Sequence, residues 1–232
     1  PFRFITSVIC ISSAVGIVFA ALSFIVSKNE VLTDTFDRKL LYDAQVFFNA
    51  EDIEEETEES IRQIESISDA ERFWAREEDI AYRDRSIRGR LLFLEPDTVM
   101  VSLTDLQDRP MGYPREGIVL SGSIAKTLGV KEGDMVTVGG TETPVTGISH
   151  QMTMDFQYLP AAEKDLYRKA EQTGWMVRLK EGADGTDIAS RLYREKGYLT
   201  TLLKSVMKKG YDNLFSRYDL FAWMLVALCG IV

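Results

Sequence analysis

Phe4 to Val26 is a run of 23 residues without a charge, and Leu220 to Val232 is a second, 13 residues long. As a helix rising 1.5 Å per residue, the first run reaches about 34 Å, enough to cross a hydrocarbon core of about 30 Å. It predicts a transmembrane helix over residues 1–27. A cleaved signal peptide fits less well, because signal h-regions cover roughly 7 to 15 residues and no small-residue cleavage pattern precedes Lys28. The second run alone is as short as a buried core helix. A chain that begins at Pro1 without Met and stops inside an apolar run reads as cut from something longer, so residues 218–232 are expected to start a second transmembrane helix.

The segment between, 28–217, alternates helical and strand periods. Tyr42 to Asn49 reads as a strand, an acidic helix follows to about Ile67, and Glu71 to Tyr82 is a second strand, making one β-α-β unit. Arg90 to Leu94 and Thr98 to Leu103 are further strands, the latter with Val99, Val101 and Leu103 on one face. Ser121 is an N-cap for a short helix that carries Ile124, Ala125 and Leu128 inward and ends at Gly129. A turn at Lys131 to Asp134 leads into Met135 to Val138, and Glu142 to Ile148 returns as a strand. Trp175 to Leu179, a helix from about Thr186 to Lys196, and Tyr198 to Leu202 form a second β-α-β unit.

The predicted class is therefore α+β: one lobe of two β-α-β units (42–85 with 150–202) and an inserted β-rich lobe (86–149). Leu32, Phe36 and Leu40 recur every four residues, and Leu203, Met207, Tyr211, Leu214, Phe215 and Tyr218 make a second apolar stripe. These predict helical stalks over 28–41 and 203–217, continuous with the spans and packed on each other or on the lobe.

Charge and cysteine add weaker bounds. The chain carries 27 Lys+Arg against 36 Asp+Glu, a net of −9, which disfavours nucleic acid as a partner. Both cysteines, Cys10 and Cys229, lie in the apolar runs, so the large loop cannot hold a disulfide. From Glu51 to Asp79 stand 13 acidic residues and three basic ones. On a helix at 100° per residue Ile53, Thr57, Ile61, Ile64 and Ile67 share one stripe while most carboxylates point away, so this is a solvated face rather than a metal site. It also lacks the Asp/Asn ladder and mid-loop Gly of a calcium loop. Basic residues do not orient a loop this long.

Gly117-Ile118-Val119-Leu120-Ser121, then Ala125, Leu128-Gly129-Val130 and Gly133-Asp134-Met135-Val136-Thr137-Val138, resembles the extracytoplasmic signature of FtsX-like and MacB-like ABC transporter permeases. In that family a strand, a short helix and a Gly-Asp turn into a strand recur in this order between two transmembrane helices. The resemblance implies structural roles for Gly117, Val119, Ala125, Leu128, Gly129, Gly133 and Asp134. It also implies a multi-pass protein of the cell membrane, with the large loop extracytoplasmic and the lipid bilayer and a cytoplasmic ABC ATPase as partners. An extracytoplasmic protein or peptide is a further candidate partner, and permease halves pair as a dimer or pseudo-dimer. The expected work is coupling of ATP hydrolysis to movement outside the membrane, in export, lipoprotein release, peptide-antibiotic defence or hydrolase activation.

No catalysis and no cofactor are expected. Ser123-Ile124-Ala125-Lys126 and Ser205-Val206-Met207-Lys208 both match Ser-x-x-Lys, but Lys-Thr-Gly and Ser-Asp-Asn are absent. The single histidine, His150, has no Cys or second His nearby to complete a metal site and reads as a solvated loop residue, and no phosphate loop for ATP is present. Met152, Met154, Phe156 and Tyr158 alternate beyond the signature. They read as the inward face of a strand or as an adaptable partner contact. A two-span receptor with an external sensor domain shares the topology and is the alternative function.

Overall fold

The computed structural model describes all residues except 1, 52, 54–55, 154, 167–171 and 230–232. The chain divides into two compact units, Thr35–Lys204 and the pair of segments Pro1–Asp34 and Ser205–Val232.

The paired segments hold the long helices. α1 (Phe2–Thr33) has no charge between Phe4 and Val26 and is followed by a π-helical turn, Asp34–Lys39. Among the described residues, Ile11–Lys39 is the one helical stretch long and apolar enough to cross a membrane.

In Thr35–Lys204, β1 (Ala44–Asn49), α2 (Glu56–Arg62) and β2 (Ile67–Tyr82) form one β-α-β unit, and β10 (Gln172–Leu179), α4 (Thr186–Leu192) and β11 (Tyr198–Leu203) a second. Their strands interleave in the order β11-β1-β10-β2, every neighbour antiparallel. Alternation places Val46, Phe48, Trp175 and Val177 on one face, where they bury against Ile61 of α2 and Ile188 and Leu192 of α4. Of the expected stripe, Thr57, Ile61, Ile64 and Ile67 are buried and Ile53 is half-buried, though only Thr57 and Ile61 lie on the helix, while Glu58 and Glu59 turn outward to Arg62 and Gln63. The helix itself is shorter than its pattern, because after Arg62 the chain tightens through Ile61–Ile64 and Ile64–Ile67 turns that keep both isoleucines inward.

Between the two units the chain builds a closed barrel. β3 (Arg85–Leu94), β6 (Ile118–Ser121), β7 (Met135–Val138), β8 (Thr141–Ser149) and β9 (Phe156–Pro160) run in the order β2-β3-β9-β6-β8-β7, and β7 pairs back onto β2. Ile80, Leu91, Phe93, Ile118, Leu120, Val136, Val145 and Leu159 fill its interior. α3 (Gly122–Leu128) plugs one side with Ile124, Ala125 and Leu128, capped by the Ser121 hydroxyl and ended by left-handed Gly129. β9, expected with the β-α-β units, thus belongs to the barrel.

The expected strand Thr98–Leu103 does not form. The Glu71 carboxylate takes both the Thr98 hydroxyl and the Val99 N–H, and Arg178 takes the Val99 carbonyl. Side chains occupy the groups a strand partner would have used, and Val99 stays exposed. Only Leu40–Val101 bridges, and Leu103–Thr104 (β4) pairs with Pro110–Met111 (β5).

α5 (Lys204–Cys229) closes the chain. It packs on α1 through Phe24, whose ring meets Phe215 and Tyr218 edge-on at 6.4 and 6.1 Å.

In the four-stranded sheet Gly174 lies opposite both Phe47 and Phe73, whose rings meet over it at 5.2 Å. A Cβ there would run into the Val46 carbonyl and press on Phe73. Gly174→Ala is expected to destabilise Thr35–Lys204 by about 1–3 kcal/mol, the usual cost of overpacking. The urea midpoint followed by tryptophan fluorescence checks it, since Trp175 adjoins the site.

Candidate functional site

The two ends of Thr35–Lys204 meet at the start of β1. Asp43 accepts the Leu179 N–H through Oδ2 at 2.9 Å, and its Oδ1 lies 3.5 Å from Lys204 Nζ. Lys204 also donates to the Leu40 carbonyl at 3.1 Å, while its own N–H reaches the Asp43 carbonyl. Arg178 Nε donates to the Leu41 carbonyl at 3.1 Å. Incoming and outgoing strands are thereby fastened side by side.

From this point the π-helical turn is tied to the barrel. Leu41 N–H donates to the Met100 carbonyl and Ser102 N–H to the Lys39 carbonyl, both at 2.9 Å. Thr35 and Thr153 share a hydroxyl hydrogen bond of 2.9 Å, and Lys39 Nζ donates to the His150 carbonyl at 2.6 Å. Lys39 is only 8% exposed, and the backbone oxygen stands where water would otherwise solvate its amine. Around these contacts is a cavity of about 20 Å³, bordered by Thr35, Lys39, His150, Met152, Phe156 and Tyr158. That is room for about one water, far less than a small-molecule pocket.

His150 is more than the solvated loop residue expected. Its N–H donates to the Thr104 carbonyl at 2.8 Å and its Nδ1 is 2.5 Å from Asp108 Oδ1, which pins the β4–β5 hairpin to the end of β8. Gln151 makes the next turn rigid: its amide donates to Ser149 Oγ and to the Phe156 carbonyl, and its oxygen accepts the Phe156 N–H at 3.0 Å. Nothing in the local pattern marks Lys39 or Asp108 as structural, because their partners are distant in sequence, and Gln151 acts across a five-residue turn that no periodicity signals.

The four side chains expected to alternate do not share a strand. Met152 sits in a bend and is 40% exposed, Phe156 begins β9 half-buried, and Tyr158 is buried inside with its phenol pushed up by burial. Met154 lies outside the described residues. Tyr113, half-buried with its phenol likewise pushed up by desolvation, accepts the Leu94 N–H at 3.1 Å and lies within donating reach of the Leu92 and Leu159 carbonyls, so it stitches the 95–117 connection to the barrel.

The signature residues build the barrel corner. Gly117 has φ +67°, its N–H donates to Glu163 at 2.9 Å, and any Cβ would strike the Pro144 carbonyl. Burial raises the Glu163 carboxyl. Val119, Ala125 and Leu128 are buried, Gly129 is the helix cap, the Gly133 N–H donates to the Val145 carbonyl, and Asp134 Oδ2 accepts the Lys131 N–H at 2.8 Å. Ser123 Oγ donates to Asp155 at 2.7 Å and lies 3.1 Å from Ser121 Oγ, so its partners are structural. Among the described residues no group of three or more His, Cys, Asp or Glu side chains is arranged to hold a metal ion.

The hydrogen bond to His150 holds the Asp108 carboxyl below the usual carboxylate range. A lowered folded-state value stabilises the fold above the unfolded value, near pH 4, and that contribution is lost as pH falls through the folded value. The hairpin tie should therefore hold at neutral pH and loosen only on strong acidification. Exchange of the His150 amide followed against pH should show an acid-side rise in the parent and a smaller one in Asp108→Asn.

Two similar chains stand among solved structures. The extracellular domain of the noncanonic ABC-type transporter YknZ from Gram-positive bacteria is similar at 13% identity with a TM-score of 0.49, over 68% of this chain and 100% of that one. The periplasmic region of MacB from Actinobacillus actinomycetemcomitans is similar at 12% identity and a TM-score of 0.46, over 78% of this chain and 98% of that one. A comparison with curated protein sequences finds no match. Residues 4–194 match the family of the MacB-like periplasmic core domain, and the chain belongs to this family of MacB-like and FtsX-like ABC transporter permeases.

Proposed function

We propose that this chain is part of a permease subunit whose extracytoplasmic domain carries motion driven by a cytoplasmic ABC ATPase to the outside of the membrane. The observation that carries this reading is the fastening at Asp43, Lys39 and Lys204, which binds both ends of Thr35–Lys204 to each other and one end to the barrel. Family membership supports it, since these are transporter permease domains rather than enzymes. It also favours a permease over a two-span receptor. Phe4 to Val26 supplies the first span, and the apolar run from Leu220 is the beginning of a second in a multi-pass protein. The output is mechanical: export, lipoprotein release, peptide-antibiotic defence or hydrolase activation, by a dimer or pseudo-dimer of permease halves.

A partner outside the membrane would meet Met152 and Phe156, at the mouth of the small cavity. A methionine there suits an adaptable contact because its unbranched side chain re-packs easily.

Transmission needs a stiff α5, and Gly210 in its interior is the weak point, with open space where a side chain would stand. Glycine costs about 1 kcal/mol relative to alanine in a helix interior. Two further glycines inserted after Gly210 would soften the helix and rotate its C-terminal part by about 200°. The expected pattern is continued nucleotide hydrolysis by the assembled transporter, an unchanged melt of Thr35–Lys204 and lost extracytoplasmic output. Unimpaired output would make the helix a passive tether.

A further inference from the structure

Lys28 stands two residues beyond the uncharged run of α1, yet its side chain is only 8% exposed. Its ammonium lies 2.6 Å from Asp219 Oδ2 and 3.1 Å from Asp212 Oδ1. Both acids are on α5, seven residues and so two turns apart on one face, with about 10 Å of helix rise between them. One cation draws two distant carboxylates together. Asp219 Oδ1 is itself buried without a hydrogen bond, so this acid is only half satisfied.

The surrounding contacts make the arrangement specific to one axial alignment. Phe24, one turn before Lys28, meets Phe215 and Tyr218, and Ala21 and Ala222, each 6% exposed, lie about a turn further along their own helices from these rings. Sliding α5 by a turn, about 5 Å, would carry the ammonium away from one carboxylate and leave that acid without its cation. An uncompensated charge at a poorly hydrated site is strongly unfavourable, so the bridged alignment is preferred.

We propose that Lys28, Asp212 and Asp219 form a bridged ion-pair lock that sets the axial register of α1 against α5. Its use in transport rests on the permease reading above, in which nucleotide moves one helix along the other. Its existence rests on the ion-pair geometry alone.

The test is thiol cross-linking in native membranes of an Ala21→Cys, Ala222→Cys pair, with Cys10→Ser and Cys229→Ser removing the natural thiols. Lys28→Met and Asp219→Asn should each lower the cross-linked fraction at least five-fold. Exchanging the charges, Lys28→Asp with Asp219→Lys on an Asp212→Asn background, should restore it to within two-fold, which also controls for misfolding. Unchanged cross-linking in Lys28→Met, or no recovery on charge exchange, would overturn the lock. Added nucleotide should lower the fraction in the parent. No response in any variant, with the Lys28 dependence intact, would count against the permease reading and leave the register lock standing.

Discussion

Sixteen residues of one strand, β2, serve two packed layers. Its first half pairs with β10 in the four-stranded sheet, and its second half pairs with β3 and β7 in the barrel. At Trp74 and Ala75 the strand is bonded on both sides, to Thr173 and Gln172 across one edge and to Phe93 and Leu92 across the other. A backbone ladder resists shear and cannot bend at a point without losing hydrogen bonds that are costly to leave unmade. The handover is reinforced by Arg72, stacked over both Trp74 and Trp175 at 5.1 and 5.2 Å, and by the buried Arg76–Glu78 pair. Sheet and barrel are consequently one body without a linker between them.

That rigidity gives the fastening at the chain ends its meaning. A displacement applied at Thr35 or Lys204 enters through Asp43, Lys39 and the β1–β11 pair, crosses the sheet and reaches the barrel through β2. His150 and Gln151 add a second, shorter route from the π-helical turn to β8 and β9. The cavity beside Lys39 holds about a water, and the buried hydroxyls and amides of the barrel, Ser121, Ser149 and Gln157 among them, are spent on one another.

The elements legible in the sequence are those whose cause is local. The isoleucine stripe of α2, the Ser121 cap, the Gly129 terminus and the alternation of β7 follow from periodicity and capping chemistry that a short window contains. The β-α-β units were readable for the same reason. What pattern could not reveal depends on partners far along the chain: Glu71 claiming Thr98 and Val99, β7 closing onto β2, and β9 joining the barrel. At the junction, Met152 and Phe156 were visible as an apolar alternation, whereas Lys39, Asp108 and Gln151 act on residues 42 to 111 positions away or across a five-residue turn. Lys28, Asp212 and Asp219 left one trace, a seven-residue spacing of two acids facing the first charge after an apolar run.

Movement of sheet and barrel as one body through β2 is tested most directly by native-state hydrogen exchange across a denaturant series. Val46 and Val177 report the sheet core, and Leu91 and Leu120 the barrel core. A shared strand predicts that the four amides lose protection along one isotherm, with equal opening free energy and equal denaturant dependence. Two separate isotherms, with the barrel opening while the sheet stays protected, would contradict it.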